Sequence, residues 1–253
     1  MNSPEAQVDP SNNPCVPVGA CVYAIGDIHG RVDLLRGLLE LIAADVERRA
    51  PARLALVFLG DFIDRGPHSR QVVECLMAGP PPGPLAAAQW ICLKGNHEEV
   101  MLDFLDNVAV GRGWCAYGGL DTVRSYAAAL PASGWERDLK AVQAVLARNL
   151  PQAHRDFLAG LPVCHQEGDY LFVHAGIRPG IALEHQDPAD LLWIRHEFLD
   201  DGRWHGKVVV HGHTPTPEPE VRHNRIGIDT RAYDSNRLTA LVLHGASRDF
   251  LRT

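Results

Sequence analysis

The sequence predicts an α/β protein in which sheets are layered against helices. Three observations carry that prediction. Short, wholly apolar runs alternate with longer segments of helical periodicity. Almost every apolar run stops at a glycine-bearing polar loop. The chain of 253 residues is long enough to bury a full core as one large domain.

Residues 1–17 are polar and proline-bearing and read as a flexible tail ahead of a domain over 18–253. Cys21 to Ile25 reads as a buried strand, followed by the loop Gly26–Arg31. Val32 to Arg49 has helical spacing, with Leu34, Leu35, Leu38, Leu39 and Ile42 on one face. Leu54 to Leu59 is a second strand that runs into Gly60–Gly66, and Ser69 to Met77 a second helix. Gln89 to Leu93 is a third strand, followed by Lys94–Glu98 and a helix from Glu99 towards Asn107. The region 108–160 differs: it is glycine-punctuated, with helical stretches at 135–149 and 152–158, and reads as a helical insertion or lid. Strand signals return at 170–173, 207–210, 225–228 and 238–243, with a short helix over 190–198.

Composition excludes several function classes. A net charge of −7 and a pI of about 6.0 argue against broad binding to nucleic acid or an anionic membrane. No stretch approaches the roughly 20 apolar residues of a membrane span, and the N-terminus lacks a basic start and an apolar run, so a cytoplasmic setting is expected. The six cysteines show no CxxC or other zinc-type spacing; Cys75, Cys92 and Cys164 lie in apolar segments and read as small core residues, and a disulfide framework is not expected.

Thirteen histidines raise a metal question. Five strand ends carry Asp27 and His29, then Asp61 and Asp64, then Asn96 and His97, then His174, then His211 and His213. Sites in open α/β sheets assemble at the carboxyl ends of strands. A single histidine after a strand is more often a core residue than a ligand; the weight lies in the joint occurrence. Oxygen and imidazole donors without thiolate suit Mn²⁺, Fe²⁺ or Zn²⁺. Six such donors are too many for one tetrahedral ion and suit two adjacent ions that share a carboxylate.

The blocks GDIHG (26–30), GDFIDRG (60–66), GNHE (95–98), HAG (174–176) and HGHTP (211–215) resemble the signature set of the phosphoprotein phosphatase family of metallophosphoesterases, in its bacterial and phage-lambda serine/threonine type. The resemblance covers about residues 20–245, with every block in family order. It implies a metallophosphoesterase αββα sandwich with a mostly helical lid. It implies two divalent ions, Mn²⁺ first, with Asp27 and His29 on one, Asp61 bridging, and Asn96, His174 and His211 on the other. A water between the ions would attack phosphorus, His97 would protonate the leaving oxygen, and Asp64 would hold the His97 ring. Arg65 and Arg195 would bind the phosphoryl oxygens.

The implied substrate is a phosphoprotein or phosphopeptide, with phosphoserine or phosphothreonine first. A dinucleoside polyphosphate such as diadenosine tetraphosphate is the alternative, and a non-catalytic scaffold a third reading. Retention of Asp64 and Glu98 sets the chain apart from the symmetrical dinucleotide hydrolases and orders the first two readings. His213 is read as a support of its loop, His68 as a solvated helix start, and Arg178 as either a rim residue or a loop cap. Tyr117–Gly119 resembles a glycine pair of the phage-type lid and is read as a turn. Arg231 and Asn236 stand where the family usually has glycine, and Lys94 where many relatives have arginine.

Overall fold

The computed structural model of the chain describes residues 13–127, 129 and 134–253. The described strands are β1 (Ala20–Ile25), β2 (Arg53–Phe58), β3 (Gln89–Cys92), β4 (Cys164–Glu167), β5 (Tyr170–Val173), β6 (Val208–His211), β7 (Glu220–Val221), β8 (Arg225–Gly227), β9 (Thr239–His244) and β10 (Ser247–Arg252). The helices are α1 (Val32–Arg49), α2 (Ser69–Ala78), α3 (Asn96–Asp106), α4 (Gly111–Trp114), α5 (Leu120–Tyr126), α6 (Leu139–Asn149), α7 (Gln152–Ala159), α8 (Pro188–Trp193), α9 (His196–Leu199) and α10 (Ala232–Ser235).

The strands form two five-stranded sheets, in the orders β10-β9-β1-β2-β3 and β4-β5-β6-β8-β7. The central strands of each are parallel: β1 with β2 and β2 with β3 in one sheet, β5 with β6 and β6 with β8 in the other. Parallel central strands covered on both faces must be apolar on both, which is why the sequence runs are solid rather than alternating. Val22, Ala24 and Val57 of the first sheet meet Phe172, Val210 and Ile226 of the second in a shared inner layer. Tyr23, Ile25 and Phe58 turn the other way, onto α1, α2 and α3. Leu171, Val173 and Val209 pack on α8 and α9. The fold is therefore the expected αββα sandwich.

Several boundaries differ from the expectation. Of the expected tail, residues 1–12 lie outside the described residues; Val16 is buried and its N–H donates to the Gly245 carbonyl, so part of the tail packs on the domain. The helix expected from Glu99 begins at Asn96, because the Glu98 carboxylate accepts the Gly95 N–H at 2.9 Å and caps the first turn. The helix expected over 190–198 is two short ones, broken where Ile194 is extended. The strands β4, β7 and β10 carry polar sequences and lie at or beside sheet edges, where one face meets water and apolar patterning fades. The insertion 108–160 is helical over α4 to α7, with residues 128 and 130–133 outside the described part.

Candidate active site

The parallel strands deliver their terminal loops to one edge of the sandwich, and those loops are unusually shaped. Five site residues that are not glycine adopt positive φ: His29 (45°), Asp61 (51°), Asp64 (71°), Arg65 (66°) and His213 (62°). Left-handed backbone is costly for such residues and persists only where surrounding structure enforces it. Glu98 is one enforcing group. Its buried carboxylate accepts the N–H groups of Asp61 (2.9 Å) and Phe62 (2.8 Å) as well as that of Gly95. Burial, reinforced by the Asp61 charge, pushes the Glu98 carboxyl up to about 7.

Two groups of metal-ligating atoms share Asp61. His29, Asp61 and His97 form one, and Asp61, His174 and His213 the other, with ligand atoms in each within 4.8 Å of one another and every residue buried. The histidine tautomers suit cation binding. His29 Nδ1 donates to the Ile63 carbonyl at 2.8 Å, and His174 Nδ1 to the Leu59 carbonyl at 2.9 Å, which leaves Nε2 of each neutral ring as its basic nitrogen. Asn96 Oδ1 lies 2.8 Å from both His174 Nε2 and His213 Nδ1. Asp27 accepts the His213 N–H at 3.0 Å.

Here the structure corrects one expected ligand. His213, and not His211, meets Asn96 and Asp61. His211 closes β6 and packs against Phe198, 5.3 Å between ring centroids, and against Gly227. His213 stands with Asp61 and His174 in the donor group in its stead; among the described residues, the buried Nε2 atoms of both His211 and His213 have no hydrogen-bond partner. The sequence reading also omitted Asp229, which is buried beside Asp27 and Asp61. It stands two residues after β8, so the strand-end rule could have found it.

Electrostatics make the same case for cations. Burial raises Asp27 well above the usual carboxylate range, and the neighbouring Asp229 and Asp61 add to it. Burial likewise pushes Asp229 up to about 6, with Asp61 adding to it. Burial lowers His29 and His174, and takes His213 down to about 2, so these rings are neutral. Three crowded carboxylates among neutral imidazoles, with an unpartnered buried Nε2, form a donor set suited to divalent cations.

His97 differs from the other rings. Burial opposes its charge, but the Asp61 and Asp64 carboxylates outweigh it and raise the ring to about 9. Its Nδ1 donates to Asp64 Oδ2 at 2.6 Å. Arg65 Nη2 stands 3.4 Å from His97 Nε2, and its guanidinium lies 4.6 Å over the Tyr233 ring. Arg195 donates to Thr214 Oγ1 at 3.2 Å. A cavity of about 440 Å³ brings Asp61, Asn96, His97, Arg65 and Arg195 to common walls with Tyr117 and Trp193.

Other expected residues lie away from it. Arg178 is ion-paired to Asp190 on the surface, with Nε to Oδ2 at 2.7 Å, and closes its own loop. His68 precedes α2 in solvent, as expected. Arg231 and Asn236 hold the left-handed backbone (58° and 57°) that glycine would take without strain. Asn236 Oδ1 accepts from Arg31 Nη1 at 2.7 Å, which ties the loop before β9 to the Gly26–Arg31 loop.

Similarity to known proteins agrees with this geometry. The chain is 29% identical over 231 residues to the asymmetrical bis(5'-nucleosyl)-tetraphosphatase PrpE of Bacillus thuringiensis, covering 86% of this chain and 88% of that one. It is 35% identical over 162 residues to a symmetrical bis(5'-nucleosyl)-tetraphosphatase of Methylococcus capsulatus, covering 62% and 44%. A crystal structure of a candidate diadenosine tetraphosphatase superposes with a TM-score of 0.60 at 21% identity, over 95% of this chain and 98% of that one. A cold-active protein tyrosine phosphatase of a Shewanella species gives 0.52 at 16% identity, over 99% and 87%. These two show the shared fold. The calcineurin-like phosphoesterase family matches residues 22–245. With nearly the whole chain matched and the strand-end donors converging at one edge of the sandwich, the protein belongs to the calcineurin-like phosphoesterases, hydrolases built on a two-metal centre.

Proposed function

We propose that the protein hydrolyses dinucleoside polyphosphates of the bis(5'-nucleosyl)-tetraphosphate class. The observation that carries this reading is the cavity, in which the donor cluster and both arginines share walls with Tyr117 and Trp193. Both rings are exposed, at 66% and 43%. The Trp193 indole is fixed by donation from Nε1 to Glu99 Oε2 at 2.6 Å, so it offers a face to a nucleobase at little conformational cost. The names of the curated relatives support the same substrate class. This reverses the order of substrates expected from the sequence.

In this reading Asp27, His29 and Asp61 hold one cation, and Asp61, Asn96, His174 and His213 the other, with Mn²⁺ first and Fe²⁺ or Zn²⁺ as alternatives. Bound there, two divalent ions supply Lewis acidity and a nucleophile at neutral pH. Arg65 and Arg195 bind the non-bridging oxygens of the phosphoryl group. The oxygen of water forms the new bond to phosphorus as the bond to the leaving phosphate oxygen breaks. His97 Nε2 passes its proton to that oxygen, and Asp64 keeps Nδ1 in place.

One observation favours a second reading, hydrolysis of phosphoserine or phosphothreonine in protein. The His97–Asp64 pair is a well-supported proton donor, and an alkoxide leaving group needs one more than a polyphosphate does. The test compares kcat/KM of the Mn²⁺-loaded enzyme for diadenosine tetraphosphate and a phosphoserine peptide. The dinucleotide is expected to win by about tenfold or more. Tyr117→Ala and Trp193→Ala are expected to raise its KM about tenfold, since base stacking contributes about 1–3 kcal/mol, with little change for p-nitrophenyl phosphate. A higher value for the phosphopeptide, with KM for the dinucleotide untouched by both substitutions, would install the second reading.

A further inference from the structure

We infer that the helical insertion is part of the acid catalyst: Trp114 and Thr122 are positioning residues that fix Asp64, and through it His97. Asp64 is fully buried, in left-handed backbone, at the end of a loop that contributes little to hold its side chain. Its restraint comes from the insertion. Trp114 Nε1, at the end of α4, donates to Asp64 Oδ2 at 2.8 Å, the same oxygen that takes His97 Nδ1. Thr122 Oγ1, in the first turn of α5, donates to Asp64 Oδ1 at 2.5 Å and accepts the Asp64 N–H at 2.8 Å. Ser69 Oγ adds a second acceptor for that N–H at 3.0 Å.

The turn between α4 and α5 is shaped for this contact. Gly118 has φ of 102°, and a Cβ there would lie 2.5 Å from the Arg65 nitrogen. Its carbonyl accepts the Arg65 N–H at 3.3 Å. A Cβ on Gly119 would lie 2.3 Å from the Trp114 indole. Each glycine thus lets one part of the insertion close on Asp64 or Arg65. A carboxylate that accepts from two sides on one oxygen and is pinned on the other has one orientation, and so does the imidazole bonded to it.

The inference rests on His97 being the proton donor, and the experiment separates the two. The readout is the ratio of kcat for an aryl phosphate, which leaves easily, to kcat for an alkyl phosphate, which needs the proton. His97→Asn sets the ratio for a lost acid. Trp114→Phe keeps the ring and removes the N–H; Thr122→Val keeps the shape and removes the hydroxyl; Thr122→Ser keeps the hydroxyl. Trp114→Phe and Thr122→Val are expected to lower kcat for the alkyl phosphate about tenfold, to leave the aryl phosphate and the bound Mn²⁺ near wild type, and to shift the ratio towards that of His97→Asn. Thr122→Ser is expected to restore it. Should His97→Asn shift the ratio while Trp114→Phe and Thr122→Val keep the wild-type value, the positioning role is wrong and the acid stands. Should His97→Asn leave the ratio unchanged, the acid assignment fails and this inference with it. Loss of folding in Thr122→Val leaves Trp114→Phe to decide, read in the folded fraction.

Discussion

His211 and His213 show how a single residue's backbone decides chemistry. His211 ends β6 and His213 stands two residues on, and in extended chain residues two apart share a face, so either could be the ligand. The Gly212 N–H is drawn to the His174 carbonyl at 2.8 Å, and His213 then turns through a φ of 62°, which carries its ring over Asn96. His211 stays in the wall beside Phe198. His213→Ala should therefore lose about one equivalent of metal and lower kcat/KM by at least about 10²-fold, on the scale of losing a group that stabilises the transition state. His211→Ala should keep both equivalents and cost about 1–3 kcal/mol of stability from the emptied buried site. Metal content by mass spectrometry, read beside thermal melting, separates them. Equal metal loss in both variants would return His211 to the ligand set.

At the scale of elements, the loops at the strand ends act as interlocking parts, and their glycines are set by what they touch. A Cβ on Gly212 would lie 1.9 Å from Asp27 Oδ1, and one on Gly95 2.3 Å from the Asp61 nitrogen. Neither obstacle is the mobile end of an exposed side chain: Asp27 and Asp61 are both buried. Gly212→Ala should therefore displace Asp27 and weaken metal binding at the site Asp27 and His29 share, with activity falling in step. Gly37, inside α1, is the contrasting case: its Cβ would meet only Thr253 at 3.8 Å. Gly37→Ala should raise stability by up to about 1 kcal/mol, the usual helix advantage of alanine, and leave metal and activity unchanged. Isothermal titration with Mn²⁺ on both variants checks the pair. Unaltered metal affinity in Gly212→Ala would show that the loop gives way and that the contact with Asp27 is not required.

For the molecule as a whole, the donor cluster couples stability to pH and metal. Asp27 and Asp229 have folded pKa values above the ordinary carboxylate value, Asp229 at about 6, mainly through burial. Groups shifted this way contribute stability fully below their unfolded pKa, near 3.9, and that contribution is lost as pH rises through the folded value. The contribution of Asp27 and Asp229 to the metal-free protein should thus fall as pH rises from 5 to 7.5, when these carboxylates must ionise beside Asp61, while the lowered His29, His174 and His213 rings act in the opposite sense. Cations remove that repulsion, and binding displaces the protons. The rise in Tm on adding Mn²⁺ to chelator-treated protein should therefore be larger at pH 7.5 than at pH 5. At about 100 times Kd the stabilisation is about 2.7 kcal/mol, or roughly 5–10 °C for a chain of this length. An equal rise at both pH values would show that the carboxylates are already ionised without metal.

What the sequence determined by itself was the layer architecture and the list of strand-end donors. Both are written locally: the apolar runs at Val22, Val57 and Phe172 encode strands buried on two faces, and Asp27, Asp61, Asn96 and His174 each stand within four residues of a strand end. The tertiary structure decided three things that no local pattern encodes. It chose His213 over His211, because the choice depends on one left-handed turn held by His174 and Asn96. It brought Asp229 into the carboxylate cluster from the far end of the chain. It closed the helical insertion on Asp64 through Trp114 and Thr122, 50 and 58 residues away. Periodicity reports which residues share a face of one element; it carries no information on which faces of distant elements meet, and in this protein the chemistry lies where they meet.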